Sequence, residues 1–256
     1  MANIATIFLA VTALVVSTVT RFASAAEPVF ASATAPASIP LFSNQPTGAA
    51  IKDWAYQPVR NAPRATKFAL VRDDELGVTV LEGSANAAAG ALIYRFDDDA
   101  RISSVLRFKW KVASLIASSD PRTKGGDDYV ARIYVTFAVD PARAGVKEKA
   151  ENAVAHMLYG ETPPHAALSY VFTHKAALGA IITSPFTQRV KKIVVDADPN
   201  SVGKWKSFTR DIYEDYKRAF SEEPTRISGI AIMVDTDNTG ETASARFGDI
   251  TLSSKP

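Results

Sequence analysis

The chain has 256 residues, 47% of them hydrophobic and 22% charged, with 29 Lys and Arg against 27 Asp and Glu for a net charge of +2. That balance argues against a nucleic-acid binder, which carries a clustered basic excess, and against a disordered acidic chain. Cysteine is absent, which excludes disulfide scaffolds, thiolate metal centres and cysteine nucleophiles, and a chain of this length can bury a sufficient core without them.

Residues 1–25 read as a secretory signal peptide. Residues 4–20 are uncharged and mostly apolar, and Ala23-Ser24-Ala25 supplies a small-residue cleavage pattern. The start, Met1-Ala2-Asn3, has no Lys or Arg, so an uncleaved anchor is the alternative; the run is shorter than the ~20 apolar residues of a span and is diluted with Thr and Ser. No later segment is apolar for long enough to cross a membrane, and the expected product is periplasmic or secreted.

Residues 26–50, with Pro28, Pro36, Pro40 and Pro46, keep no period of 2 or 3.6 and read as a tether or loosely docked arm. Residues 51–256 read as one β domain. Strands are expected over 68–71, 78–81 and 91–96. Over 105–112 the alternation is strict: Leu106, Phe108, Trp110 and Val112 face one way, and Arg107, Lys109 and Lys111 the other. Residues 130–139 repeat it, with Ile133, Val135 and Phe137 inward and Arg132, Tyr134 and Thr136 opposite. A helix is expected over 141–159, after Asp140-Pro141 and before Gly160. Strands follow at 169–173, 191–195 and 205–210. A second helix is expected over 212–220, with Tyr213, Tyr216 and Phe220 on one face and Pro224 beyond it. Strands at 227–234 and 244–252 close the chain. Short strands separated by turn signals predict an all-β, jelly-roll-like β-sandwich with two helical insertions.

The three histidines, His156, His165 and His174, stand in no metal-binding spacing, and neither a nucleophile elbow nor a phosphate loop is present. Two acidic stretches stand at strand ends, 124–132 and 235–241. In the second, Asp235, Asp237 and Thr239 with Gly240 imitate the first half of a calcium loop. Arg246 occupies the twelfth position where an EF-hand needs a bidentate Glu, so that motif fails. A hard cation such as calcium on Asp235, Asp237 and Glu241 is one reading; an Asx-rich turn capping its own backbone is the other.

Asp127, Asp128, Arg132, Tyr134, Asp235, Asp237 and Asn238 would form a polar face suited to a glycan or another small polar ligand, with Trp205 as an aromatic platform. The alternative is an internal ion-pair network that holds strands in register. Trp110 falls on the core face, and Trp54 could staple the arm. The leading expectation is non-catalytic binding. An envelope glycan or ester hydrolase using paired carboxylates is the second, and a partner-binding scaffold with an apolar patch near 141–159 the third.

LRFKWKV at 106–112, KGGDDYVARIYVTF at 124–137, LSYVFT at 168–173, DIYEDYKRAFSEEP at 211–224 and IAIMVDTDNTGETASARFGDI at 230–250 resemble, in order, the bacterial exported family called domain of unknown function 3047. The resemblance covers about 51–253. It implies no established activity and carries over no catalytic residues. The closing strand–turn–strand pattern resembles jelly-roll carbohydrate-binding modules of the galactose-binding type, a likeness of fold. His174 and Lys175 depart from the small polar residues expected there and mark that loop as specialised.

Overall fold

In a computed structural model of the chain, residues 37–138, 164–224 and 226–255 are described. The expected signal peptide, the arm before 37 and the helix expected over 141–159 lie outside the described residues. The described strands are β1 (Ala55–Pro58), β2 (Lys67–Asp73), β3 (Val78–Asn86), β4 (Gly90–Asp99), β5 (Val105–Val112), β6 (Arg132–Ala138), β7 (Ala166–Phe172), β8 (Ile181–Thr183), β9 (Val190–Asp196), β10 (Lys206–Asp211), β11 (Arg226–Met233), β12 (Thr242–Phe247) and β13 (Thr251–Ser253). A helix, α1 (Ile212–Phe220), follows β10.

The strands build two sheets that face each other as a sandwich. The seven-stranded sheet has the order β1-β4-β11-β6-β7-β9-β8, and the six-stranded sheet the order β10-β5-β12-β3-β2 with β13 beside β5. Every pairing between strands is antiparallel except β7 with β9.

The alternation in β5 and β6 explains the interior. Leu106, Phe108, Trp110 and Val112 of β5 join Ile133, Val135 and Phe137 of β6 in one core. Phe108 bridges the sheets, with its ring 5.8 Å from Tyr170 and 5.3 Å from Trp110. Burying each such side chain contributes about 1.5–3 kcal/mol.

Helix α1 is fastened at both ends. The Asp211 carboxylate accepts the N–H of Glu214, and Ser221, at φ +59, donates its N–H to the Lys217 carbonyl. The buried Asp215 carboxylate accepts the Tyr170 hydroxyl at 2.9 Å, two N–H groups of Arg210 at 2.9 and 2.6 Å, and Arg218 at 2.9 Å. The helix thereby docks on the core, with Tyr216 4.5 Å from the Phe137 ring.

Three local expectations are corrected. Strands β1 and β8 form where no strand was expected. The run 244–252 is two strands: the N–H of Gly248 still reaches the Lys109 carbonyl at 3.1 Å, and the chain then turns so that Asp249 accepts the N–H and hydroxyl of Ser43. The described part of the arm, from residue 37, is packed: Ile39 and Phe42 belong to the main core, and Phe42 stacks 5.3 Å from Trp54.

Candidate functional site

The acidic stretches meet at one end of the seven-stranded sheet, where β6 begins and β11 ends. The turn before β6 closes on itself: the Gly126 carbonyl accepts the N–H of Asp120 and of Asp128, both at 2.8 Å. A side chain at 126 would bring a Cβ within 2.5 Å of the Asp120 nitrogen, so glycine is required there. This turn delivers Asp127 and Asp128 in succession to the sheet end.

Asp127, Asp128, Arg132, Tyr134 and Asp235 are all buried, with Arg132 1% and Asp235 0% exposed. The face expected to meet solvent is therefore enclosed. Arg132 donates to Asp235 Oδ2 in a buried ion pair, and its guanidinium lies 4.8 Å from the Tyr129 ring and 5.5 Å from the Tyr134 ring. Asp235 Oδ1 also accepts the Tyr129 N–H at 3.3 Å. Asp127 accepts Lys192 Nζ at 2.7 Å and the Tyr129 hydroxyl at 3.1 Å, while Lys192 donates to the Pro121 carbonyl at 2.5 Å. Burial works against the charge on both cations. For Arg132 the Asp235 carboxylate outweighs it and holds the guanidinium above its ordinary value; for Lys192 burial wins, and its ammonium lies below its ordinary value despite Asp127. Burial pushes the Tyr129 and Tyr134 phenols up.

Two carboxylates remain after these pairs have formed. Asp128 is 1% exposed and accepts the backbone N–H of Asn238 and Thr239, at 3.1 and 2.7 Å, and the Asn238 amide at 2.9 Å. Its neighbour Asp237 is half-buried. Burial and then Asp128 raise its carboxyl to about 6. Among the described residues neither has a cation within salt-bridge distance. Burial and the surrounding aspartates also raise Asp235, against the pull of Arg132.

Carboxylate oxygens of Asp128, Asp235 and Asp237 lie within 4.8 Å of one another. The cation set read from the sequence is thus altered. Glu241 turns away and accepts the N–H of Ala117 at 3.0 Å and of Ser118 at 2.8 Å, and those contacts hold its carboxyl low. Asp128 takes its place. Trp205 is not brought to this group: it stands on the other sheet, where Nε1 donates to Asp73 at 3.2 Å. Two members were missed in the sequence, Lys192 and Tyr129. The signal for Lys192 was its parity, between Val190 and Val194 on one face of a strand.

The family model described as "Protein of unknown function (DUF3047)" matches residues 52–251. The chain belongs to this family. No curated protein matches it. Among solved structures it is similar to an arabinose-bound α-L-arabinofuranosidase, at 10% identity and TM-score 0.43 over 85% of this chain; it spans 26% of that protein. It is also similar to the family 30 carbohydrate-binding module of a cellulosomal cellulase from Clostridium thermocellum, at 9% identity and TM-score 0.34, covering 82% of this chain and 90% of the module. A third, the cellulose induced protein Cip1, gives 7% identity and TM-score 0.33, with 79% and 92% of the two chains covered.

Proposed function

We propose that this member of the family is an exported, non-catalytic binding module that takes a hydroxyl-rich ligand, a glycan, at the rim formed by Asp237 and Asn238 over the Asp128 carboxylate. One observation carries the reading. Once Arg132 has paired with Asp235 and Lys192 with Asp127, the unbalanced acceptors are Asp128 and Asp237, and Asp237 and Asn238 are the half-buried members that reach solvent. A carboxylate accepts from hydroxyls, and the Asn238 amide both donates and accepts. The contacts from Asp128 fix the 238–239 backbone in advance, which lowers the ordering cost of binding. Arg132, Tyr134, Asp127 and Asp235 serve as its foundation and do not touch the ligand. The apolar, uncharged stretch 4–20 followed by Ala23-Ser24-Ala25 supports export to the periplasm or beyond.

The mutual approach of Asp128, Asp235 and Asp237 favours a second reading, a hard cation such as calcium seated on their oxygens. A two-carboxylate hydrolase has less support, because of these three groups Asp237 alone reaches solvent. Calorimetry against a panel of neutral oligosaccharides, with calcium and with EDTA, tests the proposal. Saturable binding that weakens about tenfold in Asn238→Ala, the loss of a hydrogen bond or two, is the expected result. Heat from calcium alone supports the cation reading. Heat from neither sugar nor calcium overturns both.

A further inference from the structure

The outer face of the six-stranded sheet carries a row of cations that the rim does not use. Arg107, Lys109 and Lys111 alternate along β5 away from the core, so their Cα atoms stand about 7 Å apart in a line. Lys111 pairs with Glu75 at 2.7 Å, and Arg246 beside it is shared by two carboxylates, Asp73 and Glu82, each at 2.9 Å, so the surplus of positive charge on this face sits at Arg107 and Lys109. Among the described residues Arg107 and Lys109 have no carboxylate within salt-bridge distance. Arg107 is exposed and donates to Ser253 Oγ at 2.7 Å. Their cross-strand neighbours are small hydroxyls: Ser207 opposite Lys109, and Thr209 and Thr251 on either side of Arg107. Gly248 lies under the Lys109 stem and keeps the surface low.

The geometry points to this face as a docking surface for an anionic polysaccharide, one bearing uronate, phosphate or sulfate groups along its length. The two cations without a carboxylate, Arg107 and Lys109, meet two successive anions of the polymer, and the flanking hydroxyls bond to sugar hydroxyls. Trp205, whose indole shares Asp73 with Arg246, borders the same face at its end. A membrane surface fits less well, because β5 and its neighbours β10, β12 and β13 expose no large apolar side chain that would enter a bilayer. The site lies on the opposite sheet from the acidic rim, so the two are separable.

The test is affinity electrophoresis of the full chain through gels containing polygalacturonate, with neutral dextran gels as the control. It is repeated with vesicles of phosphatidylglycerol and phosphatidylcholine by co-sedimentation. Retardation by polygalacturonate but not dextran is expected, fading as NaCl rises from about 20 to about 300 mM. Arg107→Gln/Lys109→Gln should weaken it about fivefold at an unchanged melting temperature, whereas Asn238→Ala should leave it intact. Equal retardation by both polymers, an unaffected double variant, or binding to vesicles alone would overturn the assignment.

Discussion

Arg132→Ala separates a binding face from a foundation. The guanidinium is 1% exposed, pairs with a carboxylate that is fully buried, and lies against two aromatic rings. Removing it leaves the enclosed Asp235 carboxyl, already raised by burial and by the neighbouring aspartates, with the N–H of Tyr129 as its remaining donor. Breaking a buried pair in this way costs about 3–5 kcal/mol. At about 2–4 °C per kcal/mol for a domain of this size, the melting temperature should fall by roughly 6–20 °C. Arg132→Met/Asp235→Leu removes both charges together and should recover most of that loss, with the Tyr129 N–H as the residual cost. Differential scanning calorimetry of wild type, single and double variants is the assay. A single variant melting within about 2 °C of wild type would refute the reasoning and return Arg132 to solvent.

Asp237 has a carboxyl at about 6 in the folded protein, above the usual carboxylate value, so its contribution to stability is present below about pH 4 and is lost as pH rises through about 6. Asp237→Asn should therefore raise the melting temperature more at pH 7.5 than at pH 4.5, in buffers with EDTA; an equal effect at both values would contradict the assignment. Phe42→Ala empties a site that is 0% exposed and should cost about 3–5 kcal/mol in urea unfolding, whereas an arm that is merely laid on the surface would lose less than about 1 kcal/mol.

The strands whose pattern was legible are those with one clean face. In β5 and β6 a period of 2 runs for most of the strand, and the structure buries Leu106, Phe108, Ile133 and Val135 as that period requires. Strand β8 has three residues and β1 contains Pro58 at a sheet edge, so neither is long or regular enough to declare itself. Parity told which face Arg132 and Tyr134 occupy, but not whether that face is covered. The outer side of the seven-stranded sheet buries a second apolar cluster, with Tyr134, Ala167, Val190, Ala231 and Met233, and the charges beside it are enclosed with it. The acidic residues could be found from their clustering, but Lys192 could not be joined to Asp127, because the parallel pairing of β9 with β7 leaves no local mark. Phe42 was hidden by the Pro-rich composition around it, although its anchor is a tertiary one: the N–H and hydroxyl of Ser43 both bond to Asp249.

The N–H of Ala37 is held by Asp98 at 2.7 Å. Asp98 lies near the far end of β4, while Ala91 of the same strand is level with Met233 and Arg132 beside the acidic turn. Seven residues of extended strand, about 24 Å, separate the two poles. The described chain therefore begins at the pole opposite Asp237 and Asn238. The point of attachment of the upstream chain thus does not compete with a ligand for Asp237 and Asn238.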